Sequence, residues 1–166
     1  MEIRRARPGE GTAISRVRVG SWQAVYRGLM PDELLDGMTV DGSHWDEAIL
    51  SATAQTSLLV IDDGGEIVGF SVLGPDRDGA EDTGEIVAIY LQPGVWDQGY
   101  GWALMEHSVV ELRDHGFRRA VLWVLSTNDR ARRFYETAAW IADGAEKVEH
   151  WEGHPLPHTR YSRDLY

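Results

Sequence analysis

The 166-residue sequence contains no cysteine. That removes disulfides, thiolate nucleophiles and Cys-ligated metal sites together, and it agrees with a reducing compartment. No apolar run approaches the roughly 20 residues that span a bilayer. The N-terminal MEIRRARPGEG lacks the apolar core and cleavage site of a secretory leader, so a soluble, cytoplasmic protein without membrane partners is expected. Basic side chains are few. The 16 Lys and Arg against 27 Asp and Glu leave a formal net charge of −11, which argues against extended contact with a phosphate backbone and so against nucleic acid. Repeats, linkers and low-complexity tracts are also missing, and the length fits one domain, residues 1–166, of ordinary globular composition.

The acidic excess is uneven. From Gly28 to Leu112 there are 17 acidic residues and one basic residue, Arg77, whereas the rest of the chain sums to +5. Arg113, Arg118, Arg119, Arg130, Arg132 and Arg133 lie within 21 residues and face only Asp114 and Asp129. The molecule thus offers an acidic region and a basic one, and either would serve as solvated surface or as a field acting on charged ligands.

Hydrophobic periodicity predicts a single mixed α/β sheet, mostly antiparallel, with helices on both faces. Ile3 marks a short first strand. Pro8-Gly9-Glu10 opens a helix in which Ile14, Val17, Ser21 and Ala24 recur at helical spacing, ending near Tyr26. A loop with a short helix over Gly28 to Gly42 precedes a second helix holding Trp45, Ile49 and Leu50. Leu58 to Ile61 and Ile67 to Leu73 are β-type runs around Asp62-Asp63-Gly64-Gly65, which has hairpin-turn chemistry. An acidic loop, Pro75 to Gly84, leads to a strand from Glu85 to Leu91 rich in β-branched and aromatic residues. The chain turns through Gly94 to Gly101 into a helix with Trp102, Met105, Val109 and Leu112 on one face and Gly116 as its stop. Val121 to Leu125 reads as a buried strand, and Ser126-Thr127-Asn128 as the cap of a helix through Arg130 to Ala138. Trp151 to Pro157 reads as a loop and Thr159 to Leu165 as the last strand.

The segment EIVAIYLQPGVWDQGYGWALM, Glu85 to Met105, ends a strand, turns on glycine and starts a helix. Such a junction presents unpaired backbone N–H groups at the positive end of a helix. Gly99 and Gly101 remove the side chains that would hold a phosphate away from them. A plain strand-to-helix turn would carry the same glycines. A Walker loop would need Gly-Lys-Ser or Gly-Lys-Thr, and a dinucleotide fingerprint would need a third small residue where Leu104 stands. A second segment, NDRARRFYETAAW from Asn128 to Trp140, follows one strand later.

Together the two segments resemble the GNAT superfamily of N-acetyltransferases. Its pyrophosphate loop reads Arg/Gln-x-x-Gly-x-Gly/Ala, and its later segment reads Asn, Ala three residues on, then Phe-Tyr or Leu-Tyr. Gly99, Gly101, Asn128, Ala131, Phe134 and Tyr135 match position by position. Trp22, Tyr26 and Gly28, followed by Leu-Met-Pro, look like the N-terminal part of many small bacterial members. There are departures. Trp96 stands at the Arg/Gln position, Asp97 where glycine is frequent, and Ala139-Trp140 in place of Gly-Phe. A carboxylate at Asp97 is electrostatically wrong beside a pyrophosphate unless it turns to solvent.

The resemblance implies acetyl-coenzyme A as donor, coenzyme A as product, and direct transfer of the acetyl group to a primary amine in a ternary complex. It implies a splayed strand end for the pantetheine. The coenzyme site would comprise Ile89, Tyr90, Leu91, Trp96, Asp97, Gln98, Gly99, Tyr100, Gly101, Trp102, Asn128, Ala131, Arg132, Phe134 and Tyr135, with Arg130, Arg132 or Arg133 meeting the 3′-phosphate. Tyr135 would protonate the departing thiolate. Glu85, fourteen residues before Gly99, would be the base that a neutral attacking amine requires, with a bound water relay as the other route. Trp22, Tyr26, Trp45 and Glu85 would wall the acceptor site, and His154 and His158 would reach it from the opposite side. No metal is implied. The acidic Gly28 to Gly84 stretch points to a small-molecule amine that is cationic and drawn by its field. A protein or peptide N-terminus or lysine is the other acceptor class, and a coenzyme-binding sensor that has lost catalysis is the other kind of protein. Assembly into a homodimer is left open.

Overall fold

In a computed structural model describing residues 1–166, the first half of the chain runs β1 (Glu2–Arg5), α1 (Gly11–Val25), α2 (Asp32–Asp36), α3 (Ser43–Leu50), β2 (Ser57–Asp63), β3 (Glu66–Pro75) and β4 (Thr83–Leu91). A single 3-10 turn at Pro93–Val95 leads on to α4 (Tyr100–Asp114), β5 (Arg119–Leu125), α5 (Asp129–Thr137), β6 (Ile141–Trp151) and β7 (His154–Asp164). The strands form one sheet in the order β1-β2-β3-β4-β5-β7-β6. Only β4 and β5 run parallel. A helix between them, α4, supplies the crossover that a parallel pair needs.

The period-2 alternation of the strands feeds two apolar layers. On one face Leu59, Ile61, Leu73, Ile86, Leu122 and Val124 pack with Leu104, Met105, Val109 and Leu112 of α4 and with Tyr135 of α5. On the other, Leu58, Val60, Ile67 and Phe70 pack with Ile14 and Val17 of α1. Both faces of β2 and β3 are therefore dry, which is why their sequences read as nearly unbroken apolar runs.

The sheet differs from the expectation at its far end. Trp151 to Pro157 is not a loop. It is the tip of a long hairpin in which β6 pairs with β7 from Trp151↔His154 back to Ile141↔Ser162. The whole of β6 escaped the sequence reading because Ala, Glu, Lys and Gly dominate it and most of it is exposed. Pairing with β7, rather than burial of an apolar face, makes it a strand. Pro155 and Pro157 fall in the part of β7 that extends past β5, whose ladder stops at Leu125↔His158, so the missing proline donors break little.

The detail that makes a site is local. β4 and β5 pair only over Thr83–Ile86 against Arg119–Leu122. Beyond that point β4 bonds to β3 alone, after a bulge at which Val87 faces no β3 residue, and β5 bonds to β7 alone. Two parallel neighbours thus part in the middle of the sheet, and the facing edges of Val87–Leu91 and Trp123–Leu125 are left unpaired.

Candidate active site

A cavity of about 760 Å³ passes through the gap between the parted strands. On its helix α4 side lie Leu91, Trp96, Asp97, Gly99, Gly101, Trp102, Asn128, Arg130, Ala131, Arg133 and Phe134. On its helix α1 side lie Trp22, Tyr26, Met30, Arg77, Tyr90, Trp123, Glu149, Trp151 and His158. Tyr135 lines the passage between them.

The α4 side is built from backbone. The amides of Asp97, Gln98 and Gly99 donate to nothing in the protein, and those of the first α4 turn, Tyr100 to Trp102, have no intrahelical acceptor. Gly99 holds φ 86° at the N-cap and gives no side-chain cap, a conformation glycine adopts without steric cost. At Gly101 a Cβ would sit 3.1 Å from Leu91 Cδ1 and 3.7 Å from Phe134 Cζ. A Cβ there would be tight against Leu91, and a larger side chain would crowd the approach. This run of aligned donors at the positive end of a helix fits a pyrophosphate. The anomalous Asp97 is 84% exposed and pairs with Arg130 at 3.0 Å, while the Arg130 guanidinium also stacks 4.4 Å over the Trp96 ring. The two departures from the loop pattern are therefore one feature. Trp96 and Asp97 hold an arginine from α5 across the mouth, where the pattern would have supplied a cation from the loop itself.

Tyr135 projects from α5, a helix that Asn128 caps by accepting from Ala131 N at 3.2 Å. Asn128 thus aims the tyrosine by fixing the helix start. Burial pushes the Tyr135 phenol well above its ordinary range, so it stays protonated. Tyr26 and Tyr90 are raised for the same reason, Tyr26 also by the Tyr90 and Tyr135 hydroxyls beside it.

On the α1 side, Trp22 meets Tyr26 edge-on at 4.7 Å and Trp151 at 5.3 Å. The second contact joins α1 to the β6 end and roofs the chamber. His158 Nδ1 lies 2.8 Å from the Leu156 carbonyl. A carbonyl only accepts, so Nδ1 carries the proton and Nε2 of the neutral ring is left as an acceptor, 3.9 Å from Glu149 Oε2. Lys147, bonded to Glu149 at 2.9 Å, holds that carboxyl below its usual range.

Several expected site residues lie elsewhere. Glu85 does not line the cavity. It is 1% exposed, and both its oxygens are occupied by Arg77, through the backbone N at 3.0 Å, Nε at 3.1 and 3.2 Å and Nη2 at 2.6 Å. Three donors of Arg77 converge on the two oxygens, and neither oxygen lines the cavity where a substrate amine would sit. Arg132 turns inward, to the Tyr161 hydroxyl at 3.1 Å and the Ser126 carbonyl at 2.9 Å, leaving Arg130 and Arg133 at the mouth. Trp45 packs edge-on against Phe70 at 5.1 Å in the second apolar layer. His154 is exposed at the start of β7, just past the hairpin turn. Gln98 bonds the Gly94 carbonyl, and Tyr100 reaches Asp63 of β2 at 2.9 Å. The acidic stretch from Gly28 to Gly84 gives the wall only Met30 and Arg77, and no carboxylate. Glu149, Trp151 and Trp123 carry no site signal in the sequence, since β6 lacks an apolar strand pattern and a β5 aromatic looks like core. Arg77 was visible as the one base in an acidic half.

The model of the acetyltransferase (GNAT) family matches residues 22–140. An uncharacterised N-acetyltransferase of Archaeoglobus fulgidus is 32% identical over 138 residues, 81% of this chain and 89% of the relative. Among solved structures, YncA of Salmonella typhimurium with acetyl-CoA superposes with a TM-score of 0.76 at 23% identity, covering 100% of this chain and 94% of that one. The PaiA N-acetyltransferase of Thermoplasma acidophilum, in complex with coenzyme A, gives 0.75 at 18% identity and 98% of both chains. At these identities the two structures show the fold.

Proposed function

The chain belongs to the acetyltransferase (GNAT) family, and from that premise we propose that it transfers an acetyl group from acetyl-coenzyme A to a primary amine of small-molecule size. One observation carries the reading. A row of free amides open to a phosphate, a buried tyrosine that is protonated in the resting state and an aromatic chamber share one cavity through the parted strands. When bound, acetyl-coenzyme A supplies an activated thioester. Every other task falls to the chain. The amides of Asp97 to Trp102 hold the diphosphate with Arg130 and Arg133 beside them, the free edge of Val87–Leu91 orients the arm, and Tyr135 Oη offers a proton for the leaving group. With Glu85 fully engaged, the group best suited to receive the amine proton is His158 Nε2, whose charged form Glu149 would stabilise. The Trp22–Trp151 contact roofs the chamber and favours a small molecule over a folded protein acceptor. An acceptor of high positive charge is disfavoured, since the lining holds three arginines against two carboxylates, Asp97 and Glu149.

The test follows free thiol after mixing protein, acetyl-coenzyme A and a panel of primary amines. Tyr135→Phe is expected to lower kcat about 10²-fold with little change in coenzyme affinity, because only the transition state uses that proton. Coenzyme binding without thiol release on any amine would support a sensor instead.

A further inference from the structure

Arg77 is the only basic residue between Gly28 and Leu112, and the fold brings it to the cavity wall. We propose that Arg77 is the carboxylate-binding residue of the acceptor site, held in place by Glu85, and that the acceptor is an amino acid with an apolar or aromatic side chain. This rests on the acetyl-transfer reading above and names its substrate class.

The pairing is one-sided. Glu85 is 1% exposed and takes Nε and Nη2 of the guanidinium, whereas the Arg77 side chain is 53% exposed. Nη1, the remaining end of the planar fork, bonds to nothing in the protein. A buried ion pair contributes little stability relative to apolar replacements, but it fixes orientation. Here it holds a guanidinium edge toward the cavity, in the geometry that grips a carboxylate. The loop carrying Arg77 is also fixed. Buried Asp76 accepts from the amides of Asp78 and Ala80, each at 3.1 Å, and its own amide bonds Thr83 O at 3.0 Å.

Position and surroundings agree. Glu85 immediately precedes Ile86, the last β4 residue paired with β5, so Arg77 is anchored where the strands begin to part. In an α-amino acid the nitrogen is two bonds from the carboxylate carbon, and a carboxylate held at Arg77 delivers the amine to that gap. The chamber beyond is aromatic, from Trp22, Tyr26, Tyr90 and Trp151. Two of the aromatic faces that would attract a cation are already taken. The Arg18 guanidinium lies 4.6 Å over Trp22, and Lys147 Nζ lies 4.3 Å over Trp123. One cation, Arg77, and one carboxylate, Glu149, face an apolar space on this side, which matches a zwitterion with a greasy side chain.

Matched amines test this on the wild-type protein: L-phenylalanine against phenethylamine and L-phenylalaninamide, L-leucine against 3-methylbutylamine, and spermidine as polycation. The carboxylate-bearing member is expected to have a kcat/KM at least about tenfold higher, since a site built to bond a group rejects the analogue lacking it. Arg77→Gln should bring the ratio to near unity through KM and weaken N-acetyl-L-phenylalanine binding to the coenzyme A-loaded protein about tenfold by calorimetry, with coenzyme affinity unchanged. Glu85→Gln should raise KM for the amino acid with kcat within about threefold. A kcat loss of about 10²-fold at constant KM would instead make Glu85 a base and overturn its positioning role. Equal or faster thiol release on the amines lacking a carboxylate overturns the substrate class while leaving acetyl transfer intact. Coenzyme binding with no thiol release on any amine overturns both.

Discussion

Single residues decide whether the proposed coenzyme mouth works. Arg130 is held by Asp97 at 3.0 Å and by the Trp96 ring, so it stands ready for a phosphate but is partly neutralised. Asp97→Asn is expected to lower KM for acetyl-coenzyme A about two- to fivefold and Arg130→Ala to raise it about tenfold, with kcat nearly constant in both, as titrations of initial rate would show. Identical effects of the two changes would mean that Arg130 does not meet the coenzyme. Burial of Tyr135 also has a pH consequence. Its folded value lies above the ordinary tyrosine value of about 10, so its protonated form persists as pH rises, and a pH–rate profile should show no falling limb from it up to about pH 10. A limb lost in Tyr135→Phe below that pH would contradict this. Gly99 and Gly101 were legible in the sequence because close backbone approach has a distinctive residue requirement, and Tyr135 because it falls in the GNAT pattern. The occupied state of Glu85 was not, since its partner Arg77 is fixed only when a loop folds back over β4.

At the scale of elements, the β6–β7 hairpin carries Glu149, Trp151 and His158 and must be held against β5. Asp143 does much of this. It accepts from Arg119 of β5 at 3.1 Å and from Arg160 of β7 at 2.8 Å, and its Oδ1 accepts from Ala145 N at 3.1 Å. Asp143→Ala is expected to lower stability by about 1–2 kcal/mol and Tm by about 3–6 °C. Faster amide exchange should be confined to β6, and KM for the acceptor should rise more than KM for the coenzyme. An unchanged exchange pattern would remove Asp143 as the lock. Helices α1, α4 and α5 and the β2–β3 hairpin were readable from periodicity and turn residues, because each buries its own apolar stripe. An edge strand such as β6 has no stripe of its own, and its state is set by the neighbour it bonds.

For the whole molecule, the acidic excess behind the net charge of −11 lies largely between Gly28 and Gly84, a stretch that contributes no carboxylate to the cavity wall. Its field reaches a ligand only through solvent, where salt screens it within about 8–10 Å. Raising salt from 100 to 500 mM is therefore expected to change kcat/KM for spermidine relative to a neutral amine by less than about threefold. A tenfold loss confined to the cation would restore electrostatic recruitment.

By itself the sequence determined what local chemistry determines: a mixed sheet from its periodicities, a strand-to-helix turn at Gly99 and Gly101 with room for a phosphate, and the exclusion of thiol chemistry, while the proposed role of Tyr135 came from its place in the GNAT pattern. Tertiary structure alone decided the rest, because contact between residues far apart in the chain has no local signature. It separated β4 from β5, engaged Glu85 with Arg77, carried Arg130 across to Asp97, brought Glu149 and His158 to the wall, and left the carboxylates of Gly28 to Gly84 outside it.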